Sequence, residues 1–231
     1  MDPRERAFVD VLHSLENAAR TAGRPGGVRL LAVSKTRPAD TIAALAGFGQ
    51  HAFGENYVQE AAGKIAALAG RGLEWHLIGH LQSNKARDAA RDFDWVQTVD
   101  RPKLAAALAR HRPGGLPPLN VLLQVNIDDE ASKHGCRPDE LPALAAAVAA
   151  EPRLALRGLM AIPAPHADPE RRRPAFARMR GLFERLREDH RGADTLSMGM
   201  SEDFAIAIAE GATMVRVGSA LFGPRTAKET A

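Results

Sequence analysis

Lys35 is the residue whose position most clearly suggests chemistry, because it comes two positions after the end of the short, mainly apolar run at residues 28–33. The side chain of a lysine at the end of a buried strand begins in partly desolvated surroundings, which lower the pKa of its amine. The uncharged amine is a nucleophile that can bond covalently to a carbonyl carbon. The alternative is a lysine whose methylene stem lies along apolar surface while its ammonium stays in water. The residues around Lys35 do not by themselves separate these two interpretations.

The segment at residues 214–219 suggests a site for an anion. Gly218 and Ser219 follow an apolar run and lead into a short helical segment, where backbone N–H groups can approach a phosphate. The alternative is a simple turn at the end of a strand. Arg216 lies between two valines, and a buried charge is costly unless a partner satisfies it. Either an anionic or acceptor-bearing ligand or an internal carboxylate would serve.

Ser201 carries a hydroxyl that could serve the same anion. It precedes Glu202, Asp203 and the apolar-periodic residues Phe204 and Ile206. That pattern is typical of a helix N-cap with acidic residues in the first turn, and a capping serine can also donate to a phosphate.

Two histidines, His76 and His80, are four residues apart, a spacing that would place them on one face of a helix. Their segment has the pattern of a strand followed by a loop, and no third ligand converges on them from the sequence. We therefore predict no metal site.

The scaffold for these residues is predicted from an alternation of apolar runs and helical patterns. Strands are expected at 28–33, 51–54, 74–78, 95–99, 119–125, 154–160, 195–198 and 214–217. Helices are expected near 39–47, 57–69, 84–92, 102–110, 138–150, 169–189 and 204–210. Strict alternation requires parallel strands with right-handed crossovers, and eight units at this length favour a closed (β/α)8 TIM barrel.

The domain organisation predicted is a single α/β domain over residues 1–231. An extra N-terminal helix occupies residues 1–22, because Phe8, Val11 and Leu15 fall at helical spacing, and the barrel occupies 28–223. In such a barrel, binding chemistry collects where the strands end at their carboxyl ends. Lys35 and Asn56 fall there, as do the anion-site candidates.

The composition argues against a disulfide-rich protein, a membrane protein and a nucleic-acid-binding protein. The net charge is only +3, one cysteine is present, and no apolar stretch approaches the length of a membrane span. The arginines at 171–173 are followed by further arginines that alternate with acidic residues, a pattern typical of a solvated helix face. We expect a cytoplasmic protein with no nucleic-acid or membrane partner.

Seven segments taken together resemble a known family. They read AVSKT at 32–36, FGENYVQE at 53–60, WHLIGHLQSNK at 75–85, SKHG at 132–135, RGLMAIP at 157–163, LSMGMS at 196–201 and MVRVGSALFG at 214–223. The chain resembles the pyridoxal phosphate homeostasis protein family, whose barrel is related to the N-terminal domain of alanine racemase.

The resemblance implies that the cofactor is pyridoxal 5′-phosphate (PLP), held as a Schiff base on Lys35. It implies that Arg216 faces the pyridine nitrogen and that Asn56 lies near the ring. The phosphate-binding positions it implies are Ser201, Gly218 and Ser219, where the family more often has threonine in place of Ser219.

The function that the resemblance implies is holding, buffering or delivering PLP, with amino acids or apo PLP enzymes as acceptors. An arginine at the pyridine nitrogen weakens the electron sink that amino-acid chemistry needs. The alternative is a low-efficiency PLP-dependent amino-acid racemase, whose second base would be His80, Tyr57 or Lys133. A barrel that binds another phosphate ester without a covalent bond is a further alternative. We expect a monomer or a weak homodimer.

Overall fold

The eight predicted strands form a closed parallel barrel in the computed structural model, which describes residues 2–128, 130 and 134–223. Each strand pairs with its neighbours in sequence order, and β1 closes the barrel against β8. The strands are β1 Arg29–Val33, β2 Ala52–Glu55, β3 Glu74–Leu77, β4 Trp95–Val99, β5 Leu119–Gln124, β6 Leu154–Met160, β7 Thr195–Ser197 and β8 Met214–Val217. The prediction of a (β/α)8 TIM barrel is confirmed.

Helices lie between successive strands, as the alternating pattern predicts. They are α2 Ala39–Gly47, α3 Val58–Ala67, α4 Ala86–Asp92, α5 Pro102–His111, α6 Leu141–Ala149, α7 Arg173–Asp189 and α8 Phe204–Ala209. Short 3₁₀ turns at Ser83–Lys85 and Pro169–Arg172 precede α4 and α7. The extra N-terminal helix, α1 Pro3–Thr21, is present, and a one-turn helix, α9 Ser219–Phe222, follows β8.

Apolar side chains pack in two places, inside the barrel and between the strands and the helices. The large cluster contains Leu30 and Ala32 from β1, together with the buried faces of the helices. The residue between them, Leu31, belongs instead to a small cluster with Ala52 and Met214. Because alternate residues of a strand point to opposite faces, the small clusters fill the barrel interior.

Two details of the sequence interpretation are wrong. Glu55 was expected in the loop after the second strand, but it lies within β2 and is fully buried. Arg172 was expected on a solvated helix face, but it is 6% exposed because its guanidinium pairs with Asp203, also buried. In both cases a charge is buried with an opposite charge brought from elsewhere in the chain, and local spacing carries no signal of that.

Within the described part of the chain, none of the helices has the length and apolarity required to cross a membrane.

Candidate functional site

A cavity of about 550 Å³ opens at the carboxyl ends of the strands. Its volume lies in the range of pockets that bind small molecules. All six residues predicted to bind a cofactor line it, namely Lys35, Asn56, Ser201, Arg216, Gly218 and Ser219. The fold thus brings together residues from β8 and from the loops after β1, β2, β7 and β8.

Lys35 is held in a tight turn that begins as soon as β1 ends. The carbonyl of Ser34 accepts a hydrogen bond from the N–H of Arg37 at 3.0 Å, so Lys35 and Thr36 occupy the centre of the turn. Thr36 has a φ of 65° and is the one residue other than glycine with positive φ in the described part of the chain. Such a conformation costs a β-branched residue about 1–3 kcal/mol, so the surrounding contacts must hold it.

A buried charged cluster beneath the turn provides those contacts. Glu60 accepts a hydrogen bond from the N–H of Thr36 at 2.6 Å. The ammonium of Lys64 lies 2.6 Å from Glu60 and 2.9 Å from Glu55, and it also donates to the carbonyl of Ser34 at 2.9 Å. The turn that carries Lys35 is therefore fixed from below by ionic hydrogen bonds.

Glu55 shows how strongly this cluster is removed from water. The carboxylate is fully buried and accepts a 2.5 Å hydrogen bond from the hydroxyl of Ser34. Burial raises the pKa of Glu55 above its usual range, even though Ser34 and Lys64 both act to lower it. The cluster is therefore sensitive to any loss of the Lys64 charge.

Arg216 projects into the barrel and reaches the cavity with neutral partners only. One nitrogen donates to the hydroxyl of Ser197 and another to the carbonyl of Ala161, each at 2.8 Å. Among the described residues Arg216 forms no ion pair with a carboxylate, although the negative charge of Asp203 acts on it from a longer distance. Burial lowers the pKa of Arg216 to about 10, so the guanidinium stays charged at neutral pH. No internal carboxylate among the described residues pairs directly with Arg216, and the charge remains available to a ligand.

A chain of hydrogen bonds continues from Arg216 through the barrel interior. Ser197 donates to the side-chain oxygen of Gln97 at 2.7 Å, and the amide of Gln97 lies 2.9 Å from Nδ1 of His76. Nε2 of His76 lies 2.7 Å from Glu74. The chain orients Ser197 and, through it, the guanidinium of Arg216.

The histidine in this chain is neutral. Full burial lowers the pKa of His76 despite the carboxylate of Glu74. With Gln97 donating to Nδ1, the proton of the ring is on Nε2 and faces Glu74. Both ring nitrogens of His76 are then engaged in hydrogen bonds, one with Glu74 and one with Gln97, and neither bonds to His80.

Ser201 lies in the turn before α8 and is not the N-cap residue, because the helix begins at Phe204 and Asp203 occupies the cap position. Asp203 instead accepts a 2.7 Å hydrogen bond from the N–H of Met200 and a 2.6 Å bond from Arg172. These bonds fix the turn that presents the Ser201 hydroxyl to the cavity. Arg172 itself lines the cavity, and its buried Nε has no hydrogen-bond partner among the described residues.

Gly218 and Ser219 form the other wall, at the start of α9. The first bond inside this helix runs from the N–H of Leu221 to the carbonyl of Gly218. The N–H groups at 218–220 therefore precede the helical hydrogen bonds, as expected at a helix start. A Cβ at Gly218 would meet Val33 at 3.4 Å, an ordinary van der Waals distance, so the packing of β8 against β1 does not itself require glycine.

Asn56 is held in place by the neighbouring strand loop. A Cβ at Gly79 would collide with the carbonyl oxygen of Asn56 and would lie 2.8 Å from its Cα. The hydroxyl of Thr98 donates to the carbonyl of Gly79 at 2.9 Å, which fixes this close approach. Gly79 thus sets the position of the backbone that carries the asparagine.

Two of the three candidate second bases, Tyr57 and His80, lie outside the cavity lining. Tyr57 is 60% exposed, and neither it nor His80 is among the described residues that line the cavity. Lys133, along with Ser132 of the SKHG segment, lies outside the described residues. The cavity lining also contains Arg37, which sequence reasoning missed although it stands two residues after Lys35.

Comparisons with known proteins point to one family. Residues 10–226 match the model of the alanine racemase N-terminal domain family. A pyridoxal phosphate homeostasis protein of Pseudomonas aeruginosa is 57% identical over 219 residues, covering 94% of each chain. One from Escherichia coli K12 is 52% identical over 222 residues, covering 94% of this chain and 95% of that one.

The chain belongs to the pyridoxal phosphate homeostasis protein family. Among solved structures, PipY of Synechococcus elongatus with PLP bound aligns with a TM-score of 0.76 and 38% identity, covering 90% of this chain and 98% of that one. Alanine racemase of Corynebacterium glutamicum, at 20% identity, has a TM-score of 0.67 and is covered over 61% of its length. This second likeness shows the shared fold.

The residues present fit the cofactor that the family name implies. The cavity is lined by the amine of Lys35, by the buried guanidinium of Arg216, which has no carboxylate in ion-pair contact among the described residues, and by the hydroxyls of Ser201 and Ser219. An amine can bond to the aldehyde carbon of PLP, a guanidinium can donate to its ring nitrogen, and hydroxyl groups can donate to its phosphate.

Proposed function

We propose that this protein binds PLP in the cavity beside β1 and β8 and serves in PLP homeostasis. One observation carries the proposal: Lys35, the buried charge of Arg216 and the hydroxyls of Ser201 and Ser219 line one cavity of about 550 Å³. The relatives that share this family are named for PLP homeostasis, and a structural neighbour was solved with PLP bound.

Bound PLP supplies an aldehyde carbon that bonds reversibly to primary amines. Lys35 is the residue that we propose as the tether, because it lines the cavity and its turn is fixed by Glu60 and Lys64. Ser201, Ser219 and the N–H groups that begin α9 would hold the phosphate. Asn56 would lie against the ring.

Arg216 supports holding the cofactor more than transforming a substrate on it. Its guanidinium donates hydrogen bonds and keeps its proton at neutral pH, since its pKa is about 10. A donor beside the pyridine nitrogen favours the unprotonated ring, whereas strong electron-sink enzymes place a carboxylate there. Of the candidate second bases for the racemase alternative, Tyr57 is 60% exposed, and neither Tyr57 nor His80 is among the described residues that line the cavity.

The mouth of the cavity suits transfer of the cofactor to other molecules. Ile162 and Met200 line it and are 40% and 38% exposed, so its apolar edge faces solvent. We propose amino acids or apo PLP enzymes as acceptors. The predictions of a monomer or weak homodimer, of one domain over residues 1–231 and of a cytoplasmic location stay predictions.

Borohydride reduction of the PLP-loaded protein, followed by mass spectrometry, tests the tether. We expect one reduced cofactor per chain, attached at Lys35, and its loss in Lys35→Ala. Lys85→Ala is the matched control and should retain the adduct. An adduct found on Lys85 or Lys133, or one that persists in Lys35→Ala, would show that the tether is assigned to the wrong residue.

A further inference from the structure

A second group of chemically capable side chains lies on the rim of the barrel, at the loops after β3, β4 and β5. His80, Asp100 and His134 place one ligand atom each within 4.8 Å of one another. None of them is among the described residues lining the proposed PLP cavity. The group is therefore separate from that cavity.

The orientation of Asp100 leaves one oxygen facing the histidines. Its Oδ1 accepts a hydrogen bond from Arg101, while Oδ2 lies 3.9 Å from Nδ1 of His80, beyond hydrogen-bond distance. The side chain of Asp100 is only 11% exposed, so it has little freedom to turn away. A carboxylate with one oxygen anchored and the other directed at imidazoles is typical of a monodentate metal ligand.

The backbone of each loop is fixed close to its ligand. Arg101 also donates to the carbonyl of Leu81 and to Ser83, which ties Asp100 to the segment after His80. Cys136 donates its N–H to the carbonyl of Gln124 at 2.9 Å, which holds the segment of His134 against the end of β5. These bonds position the backbone of the three loops, while the exposed imidazole rings stay free to turn.

A tetrahedral ion requires a rearrangement of the rings, because they are stacked and Nδ1 of His80 lies 3.9 Å from Oδ2 of Asp100. Bonds of about 2.1 Å at the tetrahedral angle place ligand atoms about 3.4 Å apart. The imidazole rings of His80 and His134 lie face to face, with centroids 3.6 Å apart and planes 12° from parallel. Both residues are exposed, so each ring can turn about its Cβ–Cγ bond until the nitrogen lone pairs converge with Oδ2 of Asp100.

We propose that His80, Asp100 and His134 form a binding site for a divalent transition-metal ion of the zinc class. Two imidazoles and a carboxylate are the donor set that Zn²⁺ accepts, with a fourth position left for water. Mg²⁺, which prefers an octahedron of oxygen atoms, does not suit the site. The site joins three loops at the side of the mouth formed by β3, β4 and β5.

Calorimetric titration of the tag-free, chelator-treated protein with Zn²⁺ tests this site in the absence of PLP. We expect one Zn²⁺ per chain, no binding of Mg²⁺ at the same concentration, and tetrahedral ligand-field absorption when Co²⁺ replaces Zn²⁺. His80→Asn, Asp100→Asn and His134→Asn should each weaken Zn²⁺ binding by roughly tenfold or more. His51→Asn, an exposed histidine outside the group, is the matched control and should bind as the unaltered protein does.

Circular dichroism and the borohydride adduct on Lys35 report whether each variant is folded, independently of the metal. The proposal is overturned if the unaltered protein binds no Zn²⁺, or if His134→Asn and His80→Asn bind it with unchanged affinity. Because Zn²⁺ binding is measured without PLP, a protein that binds no Zn²⁺ can still bind PLP at Lys35. Equally, a protein that forms no adduct at Lys35 can still bind Zn²⁺ at this site.

Discussion

Replacing Lys64 with methionine is the sharpest test of how the turn at Lys35 is held. Methionine keeps most of the apolar stem of the side chain and removes only the ammonium. The ammonium is 2.9 Å from Glu55 and 2.6 Å from Glu60, and the Lys64 and Glu55 side chains are 9% and 0% exposed. Lys64→Met therefore leaves the carboxylate of Glu55 buried without its cation.

The expected cost follows from this burial. Removing one partner of a buried ion pair destabilises a protein by about 3–5 kcal/mol, because the other charge stays desolvated. Glu55 retains the hydrogen bond from Ser34, and Glu60 is partly exposed, which place the loss near the lower end of that range. We expect Lys64→Met to lower the free energy of unfolding by about 3 kcal/mol at pH 7.

The loss should depend on pH in a defined direction. The pKa of Glu55 is raised in the folded protein, so the folded state binds its proton more tightly than the unfolded state. For such a group, stability is greatest below the unfolded pKa and falls as pH rises through the folded pKa. Removing Lys64 raises that pKa further, so the deficit of Lys64→Met should be larger at pH 8 than at pH 5.

Urea unfolding at both pH values measures these differences. Lys103→Met, an exposed lysine on α5, is the control and should change stability by less than about 0.5 kcal/mol. Glu55→Gln in the Lys64→Met background should recover part of the loss, since it removes the unpaired charge. A Lys64→Met protein as stable as the Lys103→Met control, or a deficit that grows toward pH 5, would refute the reasoning.

Two further substitutions test the shape of the site. Gly79→Ala should displace the backbone of Asn56, cost about 1–3 kcal/mol and weaken PLP binding in an absorbance titration, whereas Gly63→Ala, with open space around it in α3, should leave binding unchanged. Ser197→Ala removes an acceptor from Arg216, so we expect a loss of about 1–3 kcal/mol in urea unfolding and weaker PLP binding. Wild-type PLP affinity in either variant would contradict the role given to that contact.

The barrel could be predicted because its signals are local. Each strand is a short apolar run, and each connection has helical periodicity, so the alternation alone requires parallel strands. The boundaries moved by a few residues, as at β2, where Glu55 proved to be inside the strand. Residues at strand ends could be placed near one another for the same reason, since all carboxyl ends of a barrel meet at one face.

The buried polar contacts could not be predicted, because their partners are distant in sequence. The chain from Arg216 to Glu74 joins residues of β8, β7, β4 and β3, and Gln97 meets Ser197 across 100 positions. Lys64 lies on a helix whose periodicity does not distinguish a solvated lysine from a buried one. In the same way, the four-residue spacing relates His80 to His76, whereas in the structure the ring of His80 stacks on that of His134.

Because the hydrogen-bond partners of Arg216 are neutral, the stability of the fold should depend on whether a ligand is bound. Among the described residues, the buried guanidinium hydrogen-bonds only to a hydroxyl and a carbonyl, and Asp203 acts on it without forming an ion pair, so an acceptor-bearing ligand would offset part of the cost of burying the charge. A ligand present at about 100 times its dissociation constant adds about 2.7 kcal/mol to the stability of the fold. PLP bound at the proposed site should therefore slow proteolysis of the folded chain.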